Sequence, residues 1–258
     1  MLDRAFDSPL EAEEHAAVPF AGGIKQHGYQ CGMIWGAVLA AGAQAYKVHG
    51  SGPAAEIRAV KAAARLVETF RTDNSEINCY EITEIDKTSS VLQMVTYFLL
   101  KGGTIGCLKM AGRFAPLAFD DINRTISEEA VTITQMPVSC TSIVAKKLGA
   151  NDRQTVMASG FAGGIGLCGG ACGALGTAIW ILGMKVLKET DAKNLWSDSS
   201  FSEEIESLIE RFLVSSDYKF ECADILGRKF ETMEEHADFV RGGGCSKIIE
   251  ALTRVPAS

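Results

Sequence analysis

Eight cysteines stand at positions 31, 79, 107, 140, 168, 172, 222 and 245 of the chain, and they are its richest source of chemistry. A thiolate binds soft metals and attacks disulfides, and the surrounding fold decides which. Cys140, Cys172, Cys222 and Cys245 each stand at or just before the start of an expected helix, where free backbone N–H groups favour an anion. Spacings of 32, 50 and 23 residues between them resemble neither a zinc knuckle nor a compact ferredoxin run, so a shared site has to be assembled by the fold. Four gathered thiolates hold either tetrahedral zinc or an iron–sulfur cluster. Gly170 and Gly173 beside Cys172, and Gly244 before Cys245, leave room and N–H groups for cluster sulfides, which tips the expectation toward a cluster.

The earlier part of the chain offers Cys31, Cys79 and Cys107, with His27 as the candidate that would complete a four-ligand metal set. A surface histidine in Lys25-Gln-His-Gly28 is the plainer reading of the same residue. Cys168 lies four residues before Cys172, on the same face if the backbone between them is helical. It is the candidate catalytic thiol of an exchange pair with Cys172, an alternative ligand, or a small buried apolar residue. Three functions therefore stand side by side: an iron–sulfur redox protein, a thiol–disulfide oxidoreductase or sensor using Cys168 and Cys172, and a partner-binding scaffold. Phe161-Ala-Gly-Gly-Ile-Gly166 lacks the strand and the later acid of a dinucleotide loop, and no P-loop lysine or serine elbow occurs.

These residues need elements to position them, and the chain supplies the elements twice. Phe20-Ala-Gly-Gly-Ile24 is repeated as Phe161-Ala-Gly-Gly-Ile165, an offset of 141 that also places Cys31 on Cys172, Gly42 on Gly183 and His27 on Cys168. Cys79 then matches Cys222 and Cys107 matches Cys245, with spacings of 48 and 28 in the first copy against 50 and 23 in the second. Duplication explains this order. Apolar small-residue helices are expected over 32–46 and 173–188, near a shared centre where Gly36, Gly42, Gly176 and Gly183 permit close approach. Amphipathic helices follow over 54–70 and 201–213. Strand alternation is rare, and Val131-Thr-Ile-Thr is its best case. The expected fold is mostly α, an internally duplicated helical bundle with a pseudo-twofold arrangement. Its parts are a degenerate cysteine-containing repeat (1–115), a linker (116–136) where Pro116 interrupts the apolar pattern, and a four-cysteine redox domain (137–258).

A formal charge of -7 and the lack of a basic run argue against nucleic acid as a partner. The uncharged stretch 158–184 is long enough to span a bilayer, but nine of its 27 residues are glycine, so a buried central helix is expected instead of a membrane span. With an acidic N-terminus unlike a signal peptide, the expectation is a cytoplasmic protein. Its partner would be a redox protein or a small-molecule acceptor, and a homodimer is open.

In order and rough spacing, Cys140, the run around Cys172, Cys222 and Cys245 resemble the redox-active proteins named for their C-GCAxxG-C-C pattern. Cys172 and Gly176 stand on the motif's cysteine and final glycine, while Ala171 replaces its first glycine and Gly173 its alanine. The resemblance covers 137–252 and, as a degenerate copy, 18–108, where Trp35 falls on the final glycine and the opening cysteine is missing. A related domain in split-Soret cytochromes c is associated with an iron–sulfur centre, though this chain has no Cys-x-x-Cys-His haem attachment. The resemblance thus implies redox work, with one cluster in the C-terminal half and room for a second in the N-terminal half, and leaves the substrate unspecified.

Overall fold

A computed structural model describes residues 2–7, 9–128, 138–190 and 199–254. The first half runs α1 (Leu2–Ala5), α2 (Glu11–Ala16), a 3-10 turn at Val18–Phe20, α3 (Gly32–His49), α4 (Pro53–Asn74), α5 (Cys79–Thr83), α6 (Val91–Val95), a π turn at Thr96–Leu100 and α7 (Gly103–Ser127). The second half runs α8 (Cys140–Lys147), α9 (Asp152–Ser159), α10 (Gly173–Thr190), α11 (Ser199–Ser215), α12 (Cys222–Leu226), α13 (Met233–Arg241) and α14 (Ser246–Thr253). The protein is a mostly helical, internally duplicated bundle, as the repeated residues predict. Among the described residues the extended pairings are two isolated antiparallel bridges, Gln30 with Asn78 and Ala171 with Glu221. Val131-Thr-Ile-Thr lies outside the described residues. Pro116 sits inside α7, so the interruption of apolar pattern there does not end the helix.

Glycine-rich turns precede the two central helices, and they match bond for bond. Lys25 N–H reaches Pro19 O as Gly166 N–H reaches Gly160 O, and Gln26 to Ala21 repeats as Leu167 to Ala162. In both turns five consecutive residues, 22–26 and 163–167, have positive φ. Such a left-handed turn costs roughly 1–2 kcal/mol at each non-glycine residue. Ile24 and Ile165, each fully buried, offset that cost by anchoring the turn in the core. Gly23 and Gly164 are required by space as well as by φ, since a Cβ would lie 2.1 Å from Tyr29 O and 2.4 Å from Gly170 O respectively.

The halves interlock. α3 packs on α9 and α10 on α2, so each central helix leans on the opening helix of the other copy. The contact is close because Gly42 faces the Met157 backbone and, 141 residues on, Gly183 faces the backbone of Ala16. Arg153 pairs with Glu13 at 2.6 Å across the two opening helices, and Trp180 Nε1 donates to Glu13 O at 3.1 Å. Where the axis crosses, positions meet their own counterparts. Gln30 Oε1 accepts from the Ala171 N–H at 2.7 Å, and the ring of Trp35 occupies the space beside Gly176. Phe20 stacks on Trp35 with centroids 4.7 Å apart and Phe161 meets it edge-on at 4.6 Å, which closes one buried core shared by both halves. No single helix among the described residues is long and apolar enough to cross a membrane; Val91–Leu100 and Gly103–Ser127 satisfy length and composition only together, across a 58° bend.

Candidate functional site

Each bridge carries a cysteine on both sides. In the second half Cys172 N–H donates to Phe220 O at 3.0 Å and Cys222 N–H to Gly170 O at 2.7 Å. In the first half Cys31 N–H donates to Ile77 O at 2.8 Å and Cys79 N–H to Tyr29 O at 2.7 Å. In both halves the cysteines follow the bridged residues by one position, so the alternation of an extended chain puts both thiols on the face opposite the bridged side chains. As diagonal neighbours across a ladder they stand on the order of 7–8 Å apart.

The next residues start helices. Cys172 immediately precedes α10 and Cys31 precedes α3, while Cys222 opens α12 and Cys79 opens α5. Cys140 opens α8 behind the Ser139 N-cap, Cys107 lies near the start of α7, and Cys245 precedes α14 in a left-handed conformation. The expected amide donors are present: Leu175 and Ala174 N–H groups favour the Cys172 thiolate, Met33 that of Cys31, and Gly163 that of Cys140.

Burial nevertheless wins over these donors. Desolvation pushes Cys31 and Cys245 up to about 12, helped at Cys31 by Cys79 and Cys107 and at Cys245 by Cys172. Burial likewise raises Cys140, Cys172 and Cys222, and the neighbouring thiols add to the rise at Cys140 and Cys222. At neutral pH these groups are thiols, contrary to the thiolates expected at helix starts. Cys140, Cys172, Cys222 and Cys245 lie within electrostatic range of one another, and so do Cys31, Cys79 and Cys107.

Proximity of this kind falls short of coordination. Among the described residues no group of three or more His, Cys, Asp or Glu side chains could hold a metal ion. The iron–sulfur cluster expected on Cys140, Cys172, Cys222 and Cys245, and the second centre on Cys31, Cys79, Cys107 and His27, are corrected accordingly. Metal binding and cluster-based electron transfer fall with them. The sulfurs lie within electrostatic range of one another without converging on a point. His27 has other work: it stacks on Phe220 at 5.2 Å and its Nε2 lies 3.3 Å from Lys87 Nζ. Each of the three glycines is closely covered by protein atoms. A Cβ at Gly170 would strike the Gln30 side chain, one at Gly173 the Phe161 carbonyl, and one at Gly244 the Phe239 ring.

Cys168 sits where the left-handed turn ends, so the helical backbone that would align it with Cys172 is not there. Its Sγ lies 3.6 Å from Gly166 O. Burial raises its pKa while Arg71 and Lys229 oppose the rise.

His236 escaped the sequence reading. Its Nε2 lies 3.6 Å from Cys140 Sγ, the residue is 1% exposed, and Nδ1 is buried without a partner. Burial lowers its pKa to about 4, which keeps the imidazole neutral beside the neutral thiol. A signal for it existed in the helical spacing of Met233, Ala237 and Val240, which places His236 on the buried face of α13.

The family model described as "Putative redox-active protein (C_GCAxxG_C_C)" matches residues 1–118 and again 138–257. No curated protein and no solved structure matches the chain. The two matched segments coincide with the two halves of the duplicated bundle and together span almost all of it, so the chain belongs to the C_GCAxxG_C_C redox-active family.

Proposed function

We propose that the protein is a thiol–disulfide redox protein whose working pair in the second half is Cys172 and Cys222. The observation that supports it is the bridge of Ala171 with Glu221, which sets these two thiols on one face as diagonal neighbours, with Cys245 and Cys140 close enough to influence them. On this reading the second half keeps the family's thiol set and the first half is a diverged copy of it. One thiol, on losing its proton, attacks a disulfide of a redox partner; the other then attacks the mixed disulfide. Two cysteines lose two electrons and two protons, and the partner leaves as two thiols. His236 accepts a hydrogen bond from the Cys140 S–H on this reading, which orients that thiol toward the pair. Cys168 supplies a second reading, as an attacking sulfur resolved by Cys172: burial raises its pKa, and Arg71 and Lys229 offset part of that rise.

Titration of free thiols tests both. Mild oxidation with diamide should lower the count by two, and peptide mapping should place the bond between Cys172 and Cys222. Cys222→Ser should abolish that loss, whereas Cys168→Ser should leave it intact. A bond mapped to Cys168 and Cys172 would support the second reading, and a thiol count that diamide leaves unchanged would remove both.

A further inference from the structure

The halves differ at their thiols in a way the duplication makes legible. In the second half, Cys140 and His236 stand against the thiol set. In the first half Met94 stands where an offset of 142 places His236. A neighbouring contact repeats at nearly the same offset: Tyr97 covers Gly103, and Phe239, 142 residues on from Tyr97, covers Gly244, 141 residues on from Gly103. Beside Met94 the first half holds a cavity of about 550 Å³ lined by Cys31, Cys79 and Cys107 with Met33, Met94 and Phe98.

We infer that this cavity binds a small, neutral, apolar disulfide, which Cys31 and Cys79 reduce. The inference rests on the thiol–disulfide reading and names the substrate class of the first half. Size supports it, since ligand sites commonly enclose about 300–1,000 Å³. So does lining: thioether and aromatic groups suit a polarisable sulfur compound. Charge selects further. Glu14 borders the cavity, no lysine or arginine is among its described lining residues, and the chain carries a net -7, so anionic disulfides are disfavoured. The Cys31 and Cys79 pair flanks the bridge of Gln30 with Asn78 as Cys172 and Cys222 flank theirs. Cys31 sulfur, having lost its proton, attacks one sulfur of the bound S–S bond; that bond breaks and the leaving thiolate takes the proton. Cys79 then attacks the mixed disulfide, its proton going to the second leaving thiolate. The cysteines lose two electrons and the small disulfide gains them.

The test uses the full, reduced chain with two probes, neutral dithiodipyridine and dianionic dithiobis(nitrobenzoate), and follows each cysteine by mass mapping over time. Relative to free cysteine, Cys31 and Cys79 should favour the neutral probe at least tenfold. Met94→Trp, which fills the cavity, should slow the neutral probe at Cys31 and Cys79 about tenfold and leave Cys172 and Cys222 unchanged. Met33→Phe, a milder filling, should act in the same direction should the tryptophan variant not fold. A probe preference equal to that of free cysteine, or rates at Cys31 and Cys79 indifferent to the filling of the cavity in a folded variant, would overturn the inference. If either result came with normal oxidation of Cys172 and Cys222, only the first-half site would be lost; failure at both pairs would remove the parent reading as well.

Discussion

At the residue scale, burial sets the reactivity of every thiol that the helix starts would otherwise activate. Cys245, raised to about 12 by burial and by Cys172, is almost wholly protonated at neutral pH. Its alkylation by iodoacetamide should therefore rise about tenfold with each pH unit from about 7 to 9, without a plateau. Mass spectrometry of the labelled peptide reads this directly, and a plateau near pH 8 would show that the helix amides outweigh desolvation. His236 makes the complementary prediction for stability. Its pKa falls from 6.5 to about 4 because burial disfavours the charged ring. A depressed value means the folded state prefers the neutral form, so the contribution is fully present above pH 6.5 and is lost as pH falls through about 4. A shift of that size is worth roughly 3 kcal/mol. The fall in the urea midpoint between those pH values should be shallower in His236→Gln than in the parent. Part of it should remain, because His27 is lowered to about 4 as well, by burial and by Lys87. An unchanged slope in the variant would mean that His236 stays solvated enough to protonate normally.

At the element scale, similar glycines in one helix do different work. Gly42 of α3 approaches the Met157 backbone so closely that an added Cβ would lie 2.4 Å from its Cα, whereas nothing lies within 4 Å of a Cβ at Gly36. Gly36→Ala should raise stability by about 1 kcal/mol, the usual cost of glycine inside a helix. Gly42→Ala should lower it by about 2 kcal/mol, because the two helices must part. Denaturant midpoints of the pair decide the matter; shifts of the same sign would mean that α3 and α9 are not in tight contact. The repeat, the central helices and the cysteines at helix starts were all legible in the sequence, because glycine runs and apolar periods are local signals. How closely the sulfurs approach one another was not. Whether Cys140, Cys172, Cys222 and Cys245 converge depends on how α8, α10, α12 and α14 cross, and the left-handed turn that moves Cys168 off the helical face depends on contacts made by Ile165 in the core. His236 was missed for a similar reason: its place on α13 is local, but its neighbour Cys140 lies 96 residues away.

At the scale of the whole molecule, duplication inside one chain frees the axis from a constraint that a true twofold dimer must obey. In a dimer of identical chains, residues on the axis meet copies of themselves, so a large side chain there meets an equally large one. Here the counterparts differ. Trp35 meets Gly176 and Gln30 meets Ala171, each pair separated by 141 residues. A tryptophan at both 35 and 176 would collide, a glycine at both would leave a void, and the unequal pair fills the space once. The large residue at position 35 is thus matched by the glycine at 176. Trp35 Nε1 makes no hydrogen bond, so only shape holds the ring against Phe20 and Phe161, which are themselves counterparts. Trp35→Gly should cost about 3–5 kcal/mol, as large aromatic truncations in a core do. Gly176→Trp in the parent should be at least as damaging, since the added ring enters filled space. The double variant, Trp35→Gly with Gly176→Trp, carries the ring on α10 instead of α3 and should recover at least half of the stability lost by the two single changes. Chemical denaturation of the four proteins closes the cycle. Losses that simply add would show that the environments of positions 35 and 176 are not interchangeable, and that the symmetry of the backbone stops short of the side chains at its axis.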